Sequence, residues 1–72
     1  MDNEQILKEI KTFLKDKTIT PSKILRDIGI DSLDLLDLIL EVEDKFNIKI
    51  EDDELLKMET IQDVIDVIKT KF

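Results

Sequence analysis

The chain has 72 residues, enough for one hydrophobic core and too few for two, and its formal net charge is −7. It has no cysteine to form a disulfide or bind a soft metal, and no histidine to ligate zinc or move protons near neutral pH, which removes most hydrolase, redox and metalloenzyme readings. Residues 1–26 carry +2, residues 27–66 carry −11 and residues 67–72 carry +2, a field that repels phosphate backbones and steers basic protein surfaces toward the middle of the chain. Nucleic acid is therefore not an expected partner, although keeping a small protein soluble accounts for the charge alone equally well.

The start, Met1-Asp2-Asn3-Glu4, has no basic stretch leading into an apolar run. No apolar segment approaches the roughly 20 residues that cross a bilayer. The expectation is a cytoplasmic protein without membrane insertion, monomeric because of its charge. Gly29 and Pro21 are the only glycine and proline and no segment repeats, so one domain spanning residues 1–72 is expected.

Ile6, Leu7, Ile10, Phe13 and Leu14 recur with the spacing of one apolar stripe, predicting a first helix over about residues 3–15. From 16 to 31 the pattern is lost. Thr18, Thr20, Pro21 and Ser22 break the helix, while Ile24, Leu25, Ile28 and Ile30 keep the segment apolar enough to lie on the core as an ordered loop with room for one short turn. A second helix runs from Ser32 to about Phe46, with Asp31 or Ser32 as its cap. Ile48 and Ile50 face inward, then Asp52 or Asp53 caps a short third helix around Leu55 and Leu56. A last helix begins at Thr60, whose hydroxyl accepts from the N–H near Asp63, and buries Ile61, Val64, Ile65, Ile68 and Phe72. Its β-branched content makes a strand the competing reading, but threefold and fourfold spacing favours a helix. The expected fold is all-α, a small four-helix bundle of three longer helices and one short third helix, with a long loop between the first two.

The second helix carries two apolar arcs. Leu35, Leu38, Ile39, Val42 and Phe46 fall within about 100° of arc and form a core face. Leu33, Leu36 and Leu40 lie roughly 140° away, flanked by Asp37, Glu43 and Asp44, with Asp34 and Glu41 slightly further round. A bundle of this size does not easily bury both arcs. An apolar strip rimmed by carboxylates is suited to docking a basic protein surface, the alternative being that Leu33 or Leu36 packs under the 16–31 loop. Just before this helix, Gly29 permits a turn closed to most residues, and Ser32 falls where free backbone N–H groups and the positive end of the helix dipole favour a phosphate. On the residues alone, an ordinary serine cap and a phosphate-bearing serine both remain open.

At Asp27-Ile28-Gly29-Ile30-Asp31-Ser32-Leu33-Asp34 the chain resembles the acyl carrier protein family, whose attachment motif is Asp-Ser-Leu after a glycine-containing turn. Leu38, Glu43, Phe46, the Ile48-x-Ile50 pair, the acidic 51–54 stretch and the Thr60-Ile61-Gln62-Asp63-Val64 segment fall in register with the family pattern. The resemblance implies that a phosphopantetheinyl transferase attaches 4′-phosphopantetheine from coenzyme A to the Ser32 hydroxyl, with Asp31 and Leu33 as the flanking motif residues. The arm then supplies the thiol that the chain lacks. Acyl groups ride on it as thioesters and are presented to acyl-processing enzymes with basic docking patches, with fatty acid biosynthesis the expected pathway. Asp34, Asp37, Glu43 and Asp44, with Leu33, Leu36 and Leu40, match the family's recognition face, and Glu41 stands within it where the family often has a small residue. The 16–31 loop is shorter than usual for the family, and Glu51 replaces a frequent proline.

Three other readings compete. A dedicated carrier for a polyketide, lipid-modification or aminoacyl pathway differs only in cargo, and a helical adaptor would dock without modification. A calcium site at Glu51-Asp52-Asp53-Glu54 lacks the alternating ligands and central glycine of an EF-hand loop. No motif sets a base beside a nucleophile, so neither catalysis nor a dedicated metal site is expected.

Overall fold

The structure is a computed structural model describing residues 2–72. Its helices are α1 (Asn3–Leu14), α2 (Ser32–Phe46), α3 (Asp52–Leu56) and α4 (Ile61–Lys69), with a 3-10 turn, Arg26–Ile28, inside the long loop. The expected four-helix architecture holds, and among the described residues strand-type pairing is confined to a lone antiparallel bridge, Ile24 with Thr60. The strand reading of the last helix is thereby excluded.

Each long helix starts with a reciprocal cap, which satisfies N–H groups that the helix itself leaves free. At α1, Gln5 N–H donates to Asp2 Oδ1 at 2.9 Å. At α2, Asp34 N–H donates to Asp31 Oδ1 at 3.0 Å, so Asp31 is the cap and Ser32 the first helical residue. At α4, Asp63 N–H donates to the Thr60 hydroxyl at 3.1 Å, as the sequence predicts. The short α3 differs from expectation: its cap position is Glu51, whose N–H donates to Glu54 Oε1 at 3.0 Å, and Asp52 and Asp53 lie inside the first turn. Lys15 and Asn47 end α1 and α2 in the left-handed conformation, each at φ 56°.

α1 packs on both α2 and α4. Ile6 and Ile10 of α1, Leu38, Ile39 and Val42 of α2, and Ile61, Val64, Ile65 and Ile68 of α4 form the centre of the core. Ile19, Leu25 and Ile30 peg the long loop onto this core, and Ile50 and Met58 close it from either side of α3. The inward role of Ile19 and Met58 is not apparent from periodicity, because neither lies in a repeating pattern. Each fully buried aliphatic side chain is worth about 1.5–3 kcal/mol relative to exposure.

Phe72 departs from the predicted stripe. α4 stops at Lys69, and Phe72 is 58% exposed, meeting the Phe46 ring edge-on with centroids 5.9 Å apart. Ile24 is also exposed, although the adjacent Leu25 is buried. Among the described residues two ion pairs occur: Glu9 with Lys45 joins α1 to α2 at 3.3 Å, and Glu54 with Lys71 joins α3 to the segment after α4 at 2.8 Å.

Candidate functional site

Ser32 owes its position to two local devices. Gly29, at φ 83°, turns the chain after the 3-10 segment, and no atom lies within 4 Å of where a Cβ would stand, so backbone conformation rather than space selects glycine there. Asp31 then performs the capping, which leaves the Ser32 hydroxyl out of the cap and its side chain exposed at the first position of α2. The cap alternative for Ser32 is thereby removed, since a neighbouring carboxylate does that work.

Two adjoining depressions open beside Ser32. The larger, about 550 Å³, is lined by apolar Ile24, Leu25, Ile30, Leu35, Leu55, Leu56 and Met58 together with Arg26, Asp31 and Glu59. The second, about 300 Å³, runs between α2 and α3 along Leu35, Leu36, Leu55 and Leu56. A free hydroxyl at a helix N-terminus, opening onto an apolar cleft between helices, fits a phosphate-linked arm with an aliphatic load. No group of three or more His, Cys, Asp or Glu able to hold a metal ion occurs among the described residues.

The second arc of α2 faces outward as the helical wheel predicts. Leu33 is 72% exposed, Leu36 42% and Leu40 54%, so none is buried under the loop. α3 adds Leu56, 86% exposed, which the sequence did not single out. A five-residue helix resting on the core by one edge cannot bury both members of a Leu-Leu pair, and that was the available signal.

The predicted carboxylates do not behave alike. Asp34 and Asp37 face a recess of about 260 Å³ shared with Phe13, Leu14, Asp16, Ile19 and Ile28, on the other side of the α2 N-terminus from the apolar cleft. Asp44 is exposed. Glu43 is half-buried and its Oε2 accepts the Ile50 N–H at 2.8 Å, tying the end of α2 to the segment before α3. Glu41 lines a separate, small hollow with Glu9 and Lys45 between α1 and α2. At the edge of the recess, the Thr18 hydroxyl and N–H hold the Asp16 carboxyl below its ordinary range.

A family model described as phosphopantetheine attachment site matches residues 4–68. An acyl carrier protein of Coprothermobacter proteolyticus is 38% identical over 97% of this chain and 94% of its own length. The chain belongs to the acyl carrier protein family. Solved structures of carrier proteins agree: that of the Thermotoga maritima acyl carrier protein superposes with a TM-score of 0.89 at 28% identity, covering 99% of this chain and 91% of that one. A putative acyl carrier protein from Mycobacterium tuberculosis gives 0.84 at 36% identity over 97% of each. This carrier domain therefore takes phosphopantetheine as its prosthetic group, and its family consists of carriers that interact with acyl-processing enzymes. No described helix is long and apolar enough to cross a membrane.

Proposed function

We propose that Ser32 bears the 4′-phosphopantetheine and that residues 1–72 act as one cytoplasmic, monomeric carrier domain, presenting acyl thioesters to the enzymes of fatty acid biosynthesis. The observation that carries this reading is the Ser32 hydroxyl, exposed at the start of α2 and relieved of capping by Asp31. Attachment joins the Ser32 oxygen to the pantetheine-side phosphorus of coenzyme A as a phosphodiester, while the P–O–P bond of the coenzyme A pyrophosphate breaks, adenosine 3′,5′-bisphosphate leaves and the hydroxyl proton is released. When bound, the arm supplies the thiol on which acyl groups are carried. The chain's own part is to hold the attachment point rigidly, to shelter a load against Leu35, Leu55 and Met58, and to be recognised. Recognition falls to exposed Leu33, Leu36 and Leu40 with the carboxylates of Asp34, Asp37 and Asp44, which attract a basic partner. Glu43 contributes less than its position suggests, because one oxygen is held by Ile50 N–H.

The test is an intact mass with peptide mapping after incubation with coenzyme A and a broad-specificity phosphopantetheinyl transferase. A phosphopantetheine-sized gain on Ser32, absent from Ser32→Ala, is expected. No gain on folded protein, with a known carrier modified alongside, overturns the assignment. The cargo found on the protein from its own cells separates fatty acid biosynthesis from a polyketide, lipid-modification or aminoacyl pathway.

A further inference from the structure

Among the described residues, Arg26 is the one cation lining the larger cleft beside Ser32; the other charged residues there are Asp31 and Glu59. The base of its side chain is fixed by the backbone. Leu25 is buried, its N–H donates to Glu59 O at 2.9 Å, and its carbonyl accepts the Ile30 N–H at 3.0 Å. Gly29 N–H then closes the turn on Arg26 O at 3.2 Å. The guanidinium itself is uncommitted: the ion pairs among the described residues are Glu9–Lys45 and Glu54–Lys71.

A phosphodiester on Ser32 sets a further negative charge in the most acidic part of the chain, beside Asp31 and within a turn of Asp34. The two sides of the α2 N-terminus treat that charge oppositely. Among the described residues, the recess toward α1 presents Asp16, Asp34 and Asp37 and no cation, whereas the cleft toward α3 presents Arg26. A guanidinium remains charged at any ordinary pH, and its planar fork matches two phosphate oxygens. Docking does not account for Arg26, since a cation beside the attachment point opposes the basic surfaces that the rest of this face attracts.

We propose that Arg26 is a binding residue for the prosthetic arm, pairing with its phosphodiester and biasing the arm into the larger cleft beside Ser32. The inference rests on attachment at Ser32. It is tested on 15N-labelled protein, wild type and Arg26→Gln, before and after loading, with intact mass reporting the loading. Because the chain has no cysteine, the arm carries the only thiol, and a nitroxide placed there reports where the arm lies. Loading is expected to shift the Arg26 Nε–H resonance, and the arm's phosphorus resonance should differ between the two proteins. Nitroxide broadening at Leu35 and Leu55 should weaken about two- to fivefold in Arg26→Gln, the range of an exposed ion pair. Arg26→Lys should recover part of the broadening, and the wild-type advantage should shrink as salt is raised. Arg26 is exposed, so neither substitution should alter the melting temperature. Loaded protein whose Arg26 and phosphorus resonances are indifferent to one another overturns the inference and leaves attachment at Ser32 standing; absence of loading overturns both.

Discussion

α2 and α4 begin with the same local device, a capping residue followed three positions later by an aspartate that bonds back, yet they end in opposite situations. At α4 the next two N–H groups are claimed by the long loop, Ile61 N–H by Lys23 O at 3.0 Å and Gln62 N–H by Pro21 O at 2.8 Å, and the Ile61 side chain is buried. Asp63 Oδ2 takes two further N–H groups, those of Glu59 at 2.9 Å and Thr60 at 3.0 Å. At α2, among the described residues, no carbonyl of another segment accepts the Ser32 or Leu33 N–H, and both residues occupy the equivalent positions exposed. A capped helix start is thus structural when another segment covers it and a candidate ligand site when it is left open.

Substitutions at matched positions sharpen this contrast. The largest effect on function is expected from Ser32→Ala, which should abolish phosphopantetheine loading while changing unfolding free energy by less than about 0.5 kcal/mol, measured by intact mass and urea denaturation. The same first-turn position in α4 should behave inversely. Ile61→Ala is expected to cost about 2–5 kcal/mol, a large share of the roughly 5–15 kcal/mol of a typical domain, with a correspondingly lower urea midpoint. If Ile61→Ala were nearly neutral, the covered terminus would not be the structural one. Thr60→Ala should cost about 1 kcal/mol through loss of the cap, read as a melting temperature lower by about 4–8 °C. Leu40→Ala, on the exposed arc of α2, should leave stability within about 0.5 kcal/mol and weaken association with an acyl-processing partner, measured by titration calorimetry.

The pH dependence is the finest test. The backbone N–H groups of Glu59 and then Thr60 hold the Asp63 carboxyl below its ordinary value, outweighing a small opposing effect of burial. A carboxyl whose folded value is lowered stabilises the fold above its unfolded value and ceases to do so as pH falls through the folded one. The Asp63 contribution is therefore expected to be intact at neutral pH and to disappear progressively below about pH 4. Asp63→Asn should be less stable than wild type at neutral pH and show a shallower loss on acidification, followed by urea denaturation at each pH. Parallel curves would remove Asp63 as a source of the acid sensitivity.

Much of this was legible in the order of residues because capping and amphipathic spacing act over three or four positions. Asp31-Ser32-Leu33-Asp34 and Thr60-Ile61-Gln62-Asp63 mark helix starts by themselves, and the two arcs of α2 follow from 100° steps around a helix. Misplaced details concern weakly periodic places: α3 is too short for its cap to be read from an all-acidic run, and Phe72 keeps the spacing of α4 after the helix has ended at Lys69. The burial of Ile19 and Met58, the internal bond of Glu43, the exposure of Leu56 and the approach of Arg26 to the Ser32 cleft have no local signature. The sequence by itself determined where the helices lie and that Ser32 stands at the head of one. The tertiary structure decided which helix start is open, because that depends on Pro21 and Lys23 reaching the backbone of Gln62 and Ile61, some forty residues away, and lying on α4 instead of α2.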